Sequence, residues 1–308
     1  MINPFVSVII PNYNHAQFLD ERIQSVINQT YQNFELIILD DNSTDNSVEV
    51  ISKYKDNPHV SKIVVNEQNS GSGFKQWHKG FELAKGDIVW IAESDDSCGV
   101  TLLETLVKGY VEHHAVLAFC RSCKYDKYGK RSFYEHQKNL PCNISLYGRD
   151  FISKYMIRDN LVANASSVIF DRQIAMSLDK QYMEMRGEGD WLFWIEIMER
   201  GNVFFVDQEL NYFRFHETNT TSSLTYKGVN PVEHKVVFDY LVSHDHLVGV
   251  EKKREILRLF PIYMGSEYES TAVRRKVMDT WDKNRFIRLY MWGSMIKGVL
   301  KYPIKFLW

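Results

Sequence analysis

The chain of 308 residues is 44% hydrophobic and 25% charged, enough for one large α/β domain, or a domain with an appendage, around a sizeable core. Its net charge of −2 excludes nucleic acid as the main partner, because neutralising many phosphates needs a basic surplus. Four cysteines (Cys98, Cys120, Cys123, Cys142) are too few and too irregular for a disulfide scaffold. Cys120-Arg-Ser-Cys123 has the spacing of half a zinc site without a second half, so reduced thiols are expected.

Phe5-Val6-Ser7-Val8-Ile9-Ile10 is a near-continuous apolar run, the pattern of a strand covered on both faces. It runs straight from the N-terminus with no charged-then-apolar export pattern, so a cytoplasmic protein is expected. Pro11-Asn12-Tyr13-Asn14 breaks the strand. Leu19, Ile23, Val26, Ile27 and Thr30 then recur at the spacing of one helical face. Phe34 to Leu39 is the second strand. Asn42-Ser43-Thr44-Asp45 offers N-cap residues for a helix whose buried stripe is Val48, Ile51 and Tyr54. Ile63-Val64-Val65 is a third strand, followed by the loop Asn69-Ser70-Gly71-Ser72-Gly73 and a helix to about Ala84. Gly86 opens the next strand, Ile88-Val89-Trp90-Ile91-Ala92.

This alternation predicts a doubly wound, mostly parallel α/β sheet flanked by helices. In such a sheet ligands bind at the carboxyl ends of the strands. Two strands here end in acids: Phe34 to Leu39 in Asp40-Asp41, and Ile88 to Ala92 in Glu93-Ser94-Asp95-Asp96. Those acid tips point to a site that holds a metal and a nucleotide.

Val116 to Cys120 and Ser167 to Phe170 read as further strands, and Asp190 to Arg200 as a helix rich in Trp and Phe. Val203 to Val206 and Leu210 to Phe215 read as two final strands. From about Lys227 the pattern is helical, which places a domain boundary near residue 222, with a helical C-terminal region over 223–308. Residues 283–308 contain Lys283, Arg285, Arg288, Lys297, Lys301 and Lys305 but no acid, and end in Trp308. A basic amphipathic segment of this kind can lie peripherally on an anionic membrane surface. The alternative is a helix packed on its own domain with a solvated basic face. No window approaches the roughly 20 apolar residues of a membrane span.

Val6-Ser7-Val8-Ile9-Ile10-Pro11-Asn12-Tyr13-Asn14, Gln29-Thr30-Tyr31 and Leu39-Asp40-Asp41-Asn42-Ser43-Thr44-Asp45 together resemble the opening of family 2 glycosyltransferases, inverting enzymes of the GT-A fold. Asn69 with Gly71, Ala84-Lys85-Gly86-Asp87-Ile88, Glu93-Ser94-Asp95-Asp96, Gly189-Asp190-Trp191 and Tyr212-Phe213-Arg214-Phe215-His216 extend the resemblance over roughly residues 4–222. It implies a nucleotide-sugar donor, most simply a UDP-sugar, and a saccharide or lipid-linked saccharide acceptor of bacterial surface polysaccharide assembly. It also implies a divalent cation, manganese or magnesium.

Residue by residue, the resemblance implies a nucleotide-binding set of Pro11, Tyr13, Asp40, Asp41, Lys75, Glu93 and Asp95. Tyr13 would stack on the base, and Asp41 would accept its N–H, a charge-assisted bond. Asp40 would brace the loop or cap the next helix. Asp95, Asp96 and His216 would hold the metal beside the diphosphate, with Lys75 and Arg214 as candidate diphosphate partners. Glu93 stands where the family commonly has Asp, and Gln76-Trp77-His78 replaces a run that often carries Arg. Asp190 would be the catalytic base, with Glu188 as runner-up, since Gly189 separates two acids that are often adjacent. Two other readings are a sugar-phosphate nucleotidyltransferase and a non-catalytic carbohydrate-binding protein on a degenerate transferase fold. The first would carry a Gly-rich basic loop near the N-terminus, and Pro11-Asn12-Tyr13-Asn14 is neither; the second would have lost acids that are present.

Overall fold

Strands β1 (Val6–Asn12) and β2 (Phe34–Asp40) are buried at every residue, as strands covered on both faces must be. In this computed structural model, which describes residues 3–125, 131–214 and 220–281, the chain divides into two units, 1–219 and 220–308. In the first unit, helices α1 (Ala16–Ile27) and α2 (Ser47–Ser52) follow those two strands. With β3 (Val60–Val65), α3 (Gly73–Leu83) and β4 (Ile88–Ile91), they build a parallel half-sheet in the order β3-β2-β1-β4.

The chain continues through β5 (Ser97–Cys98), α4 (Leu102–Glu112), β6 (Ala115–Tyr125), β7 (Arg131–Phe133), β8 (Ile144–Tyr147) and α5 (Gly148–Phe151). Then come β9 (Val168–Asp171), α6 (Arg172–Ser177), α7 (Gly189–Met198) and β10 (Asn202–Arg214). Strand β9 enters antiparallel between β4 and β6, β10 lies parallel to β6, and the full path is β3-β2-β1-β4-β9-β6-β10-β5. One face of this sheet buries Val6, Val8 and Ile10 against Leu19, Ile23 and Val26 of α1. On the other side an aromatic layer joins α3, β9 and α7, with Phe81 5.6 Å from Phe170 and 5.8 Å from Phe193.

Between α3 and β4 the backbone passes so close to β1 that a Cβ on Gly86 would lie 2.6 Å from the Phe5 carbonyl oxygen. The Gly86 N–H instead donates to Ser7 Oγ at 2.8 Å, and Ser7 Oγ donates to Glu35 Oε1 at 2.7 Å. The Ala84-Lys85-Gly86 step thereby locks β1, β2 and β4 in register, so their carboxyl ends open at one edge.

Two expectations change. Helix α2 is only six residues long, and its inward face is Ser47 and Ile51, four apart, with Tyr54 buried just beyond; Val48 is 38% exposed. The residues read as two final strands are one strand, β10, with register shifts between Val206 and Asn211. There the Asp207 N–H leaves the ladder for Asn143 Oδ1 at 2.8 Å, and its carboxylate pairs with Arg121. A polar bulge therefore looks like a break in an apolar pattern.

The second unit holds α8 (Thr220–Tyr226), α9 (Val229–Ser243), α10 (Gly249–Gly265) and α11 (Thr271–Trp281), which ends in the buried Trp281. Its ring packs on Phe238 and Tyr263, and its N–H donates to the Pro231 carbonyl at 2.9 Å. Among the described residues no helix is long and apolar enough to cross a membrane. The basic segment 283–308 and His216 lie outside the described residues.

Candidate active site

At the carboxyl edge of the parallel half-sheet, Asp40 is fully buried and accepts from Asn12 Nδ2 (2.7 Å), Ser43 N–H (2.9 Å) and Ser43 Oγ (2.7 Å). Those bonds make it the brace of the β2–α2 loop. The cap-like role falls to Asp45, which accepts from Ser47 N–H at 3.0 Å and from Ala16 N–H at 2.9 Å, tying the starts of α2 and α1 together. Asn14 adopts the left-handed conformation (φ 56°), and its side chain takes the Thr44 N–H at 2.7 Å. This closes the loop beneath Tyr13, whose ring is 47% exposed at the lip of the edge. Pro11 is buried within β1 opposite Leu39, and Lys75 is exposed on α3.

Asp41 sits one residue beyond β2 and is also buried. Its Oδ1 accepts from Asn66 Nδ2 (2.6 Å), Ser70 N–H (2.9 Å) and Gln76 Nε2 (2.9 Å), and its Oδ2 from Ser70 Oγ (2.7 Å). The Asp41 carbonyl takes Asn69 Nδ2 at 2.9 Å. The carboxylate thus fastens the Asn69–Gly73 loop to the sheet. One carboxylate oxygen offers about two lone-pair directions, so Oδ2, with one donor, keeps a direction for another.

Glu93, Asp95 and Asp96 follow β4. Asp96 is buried and accepts from Ser166 Oγ (2.7 Å), Arg214 N–H (3.1 Å) and Asn164 Nδ2. Asp95 and Glu93 are half-buried, and Trp77 Nε1 donates to Glu93 Oε1 at 2.9 Å. Burial, then the Asp95 and Asp96 carboxylates, push the Glu93 pKa up to about 8. Burial and Asp95 raise Asp96 as well. Glu93 and Asp96 both resist ionising, and a divalent cation nearby would relieve that repulsion, although among the described residues no three such side chains are grouped to hold a metal by themselves. Asp95 is more open than the buried Asp96, and diphosphate oxygens suit the remaining positions of a hard ion.

Two arginines frame the cluster. Arg214 Nε donates to the Asp95 carbonyl at 3.0 Å, its Nη2 pairs with Glu21 at 2.6 Å, and its guanidinium lies 4.6 Å from the rings of both Phe18 and Tyr125. It therefore clamps the acidic loop to α1. Arg22 is fully buried on the apolar face of α1, over Trp90 at 5.1 Å, and its charge acts on Glu93 and Asp96. Its Nε and Nη2 have no hydrogen-bond partner among the described residues. Arg22 was legible in the sequence as a cation on the helical stripe of Leu19, Ile23 and Val26.

Glu93 sets a pH dependence. Below its ordinary pKa, near 4.5, it is protonated in the folded and unfolded chains alike. As pH rises toward about 8, the unfolded chain ionises while the folded site still holds its proton, so the group withdraws stability across that window. Glu93→Gln keeps a neutral acceptor for Trp77. It should match the wild type near about pH 5 and exceed it by about 1–3 kcal/mol near about pH 9 in denaturant titrations without metal. A constant difference across the range would show that Glu93 titrates normally.

Asp190 lies in the first turn of α7, where its Oδ2 accepts from Asn160 Nδ2 at 2.9 Å. Glu188 is the N-cap residue. Gly189 between them is required by packing, since a Cβ there would lie 2.7 Å from the Tyr182 carbonyl oxygen and 2.7 Å from the Phe74 ring. Helix α7 is joined to the acid cluster through Trp77, whose ring lies 5.9 Å from Phe193 and 5.8 Å from Trp194. Trp77, Trp191 and Trp194 are all buried, as core packing requires. Asn66, Asn160, Asn164 and Ser166, which hold these acids, were not singled out by sequence, and Gln76 was noted only as standing in a run that often carries Arg.

A family model described as glycosyl transferase family 2 matches residues 7–173. The chain belongs to that family. Among family relatives, the glycosyltransferase GlyG of Streptococcus pneumoniae is 32% identical over 126 residues, 41% of this chain and 42% of its own length. The chain thus spans under half of GlyG. The putative teichuronic acid biosynthesis glycosyltransferase TuaG of Bacillus subtilis is 26% identical over 221 residues, 71% of this chain and 82% of its own. In structure, Staphylococcus aureus TarS in complex with UDP-GlcNAc superposes with a TM-score of 0.67 at 18% identity, covering 90% of this chain and 80% of that one. The mixed sheet with helices on both faces is accordingly the GT-A fold of family 2.

Proposed function

We propose that this family 2 chain transfers a sugar, with inversion, from a UDP-sugar to a saccharide or lipid-linked saccharide acceptor in surface polysaccharide assembly. The observation that carries this reading is the convergence at one sheet edge of the Asp41 network and the Glu93-Asp95-Asp96 cluster, with Asp190 on the helix packed behind Trp77. The UDP-GlcNAc held by TarS and the teichuronic acid role of TuaG support the donor and acceptor classes.

In this reading Tyr13 stacks on the base and Asp41 Oδ2 accepts its N–H. Asp190 takes the proton of the acceptor hydroxyl as that oxygen bonds to the anomeric carbon from the face opposite the diphosphate. The bond from the anomeric carbon to the diphosphate oxygen breaks, and its electron pair leaves with the diphosphate. A divalent cation, manganese or magnesium, held at Asp95 with Asp96 behind it, would supply Lewis-acid stabilisation of the departing diphosphate. Arg214, committed to Glu21 and the Asp95 carbonyl, keeps the acidic loop in place instead of binding phosphate. A cytoplasmic location fits a nucleotide-sugar donor.

Thermal unfolding with UDP, GDP, CDP and dTDP, each with and without manganese, tests this. Saturating UDP, at about 100 times its dissociation constant, should stabilise the fold by about 2.7 kcal/mol, and more with manganese than without. No shift with any nucleotide would remove the assigned roles of Asp41 and Asp95.

A further inference from the structure

A nucleotide that stacks on Tyr13 and reaches the acidic loop must touch two segments far apart in sequence, and one side chain bridges them. His15, two residues past Tyr13, hydrogen-bonds through Nδ1 to the Oγ of Ser94, which stands between Glu93 and Asp95, at 2.8 Å. We infer that His15 is a positioning residue that fixes the separation between the base end and the metal end of the donor site, an inference that rests on the transfer reading above.

The bridge is not a helix cap. His15 occupies the N-cap position of α1, where a polar side chain ordinarily accepts from the first turn of its own helix. It makes no such bond. The Asp45 carboxylate takes the Ala16 N–H instead, at 2.9 Å, and the imidazole serves another loop. Ser94 is only 2% exposed, and a hydroxyl so buried requires a partner.

Both ends of the bridge are held in turn. On the base side, the Asn14 N–H donates to Ser43 Oγ at 2.9 Å, and the Asn14 side chain takes the Thr44 N–H. On the metal side, the Glu93 N–H donates to Ser166 Oγ at 3.0 Å, and the Asp96 N–H closes a turn onto the Glu93 carbonyl at 3.2 Å. The His15 ring also meets Phe18 edge-on, with centroids 6.0 Å apart. Phe18 packs against the Arg214 guanidinium, whose Nε holds the Asp95 carbonyl. Other anchors of the acidic loop, Trp77 at Glu93 and Asn164 and Ser166 at Asp96, come from α3 and from the segment before β9. His15 comes from the segment that carries Tyr13.

That placement has a defined consequence for binding. A nucleoside diphosphate is two fragments joined by a short linker. Once one end is bound, the other meets its subsite at high effective concentration only if the subsites stand at the span of the linker. Loosening the bridge leaves each subsite intact and removes that gain.

Calorimetric titrations on the full chain with magnesium, comparing UDP with its two ends, uridine and magnesium pyrophosphate, test this. His15→Ala should weaken UDP by about tenfold, the scale of one hydrogen bond, and leave uridine and pyrophosphate within about twofold. Ser94→Ala removes the same bond from the loop side, so it should match that loss, and the double variant should add nothing further. His15→Asn should restore much of the UDP affinity and His15→Gln should not, because Asn amide atoms, like Nδ1, stand one bond beyond Cγ. Unchanged UDP affinity in both alanine variants overturns the inference, as do additive losses in the double variant. Equal losses for UDP, uridine and pyrophosphate overturn it too, since they mark a general loosening of the fold. Absence of UDP binding in the wild type would instead overturn the donor reading, and this inference with it.

Discussion

Asp190→Asn is expected to lower turnover by about two to four orders of magnitude, the usual contribution of a positioned general base. UDP affinity should barely change, and the unfolding midpoint should fall by no more than about 2–4 °C. The expectation follows from what Asp190 touches. Its Oδ2 accepts from Asn160 Nδ2, a bond that an asparagine oxygen can take in the same place, while its Oδ1 accepts from the Trp191 N–H at 2.7 Å, where the amide nitrogen would stand. The substitution therefore removes a proton acceptor while keeping the loop contact. Glu188→Gln is the control, because Glu188 precedes α7 and a Cβ-free residue separates it from Asp190. If Glu188→Gln abolishes turnover and Asp190→Asn does not, the base is Glu188. If neither substitution alters turnover, the base is neither of these residues; if no donor turnover exists to lose while UDP still binds, the non-catalytic reading gains. A steady-state assay of UDP release, with UDP binding measured on the same samples, decides among these.

Much of the first hundred residues was legible because their signals are local. The runs Val6 to Ile10, Phe34 to Leu39 and Ile88 to Ala92 are apolar throughout, and a parallel strand buried on both faces has no other way to read. The stripe of α1 fell on Leu19, Ile23 and Val26 as expected, with Ile27 partly buried, but Thr30 lies beyond the end of the helix and is exposed. Val48 misled because a pattern of three residues fits more than one face of a six-residue helix. The split of β10 arose from Asp207, whose polar side chain belongs to a bulge paired with Arg121, 86 residues earlier.

The site was legible as a set of acids but not as a structure. Asp95 and Asp96 look equivalent in sequence. Asp96 turns inward only because Asn164, Ser166 and the Arg214 N–H arrive from 68, 70 and 118 residues away. The same holds for Asp190 and Asn160, 30 residues apart across two secondary elements. Such partners have no periodic signal; what they share is a polar amide or hydroxyl near an apolar strand or helix. Arg22 is the exception, a charge on a buried stripe. Its guanidinium acts on Glu93 and Asp96 from beneath.

The same long-range logic makes Asp41→Asn a costly single-atom exchange in the first unit. The carboxylate gathers four donors, from Asn66, Ser70 (twice) and Gln76. An amide of the same shape can accept at only one of its two atoms: with its oxygen at the Oδ1 position its N–H groups face the Ser70 hydroxyl, and with it at Oδ2 they face the three donors of Asn66, Ser70 and Gln76. Hydrogen bonds to a charged group are each worth about 1.5–3 kcal/mol, and orphaned donors add desolvation, so a loss of about 3–5 kcal/mol is expected. For a domain of this size that lowers the midpoint by roughly 6–20 °C. The Asn69–Gly73 loop, tied to the sheet through this carboxylate, should become protease-sensitive. UDP affinity separates the structural role from the proposed one. Asn66→Ala removes one donor while sparing the Asp41 carboxylate, so it should cost about 1–2 kcal/mol of stability and leave UDP affinity within about threefold. Asp41→Asn, assayed well below its midpoint, should weaken UDP by more than about tenfold, because the base N–H would lose a charged acceptor. Equal UDP affinities in the two variants would confine Asp41 to holding the loop. The base would then be recognised by Tyr13 stacking alone, a contact that does not distinguish uracil from other rings.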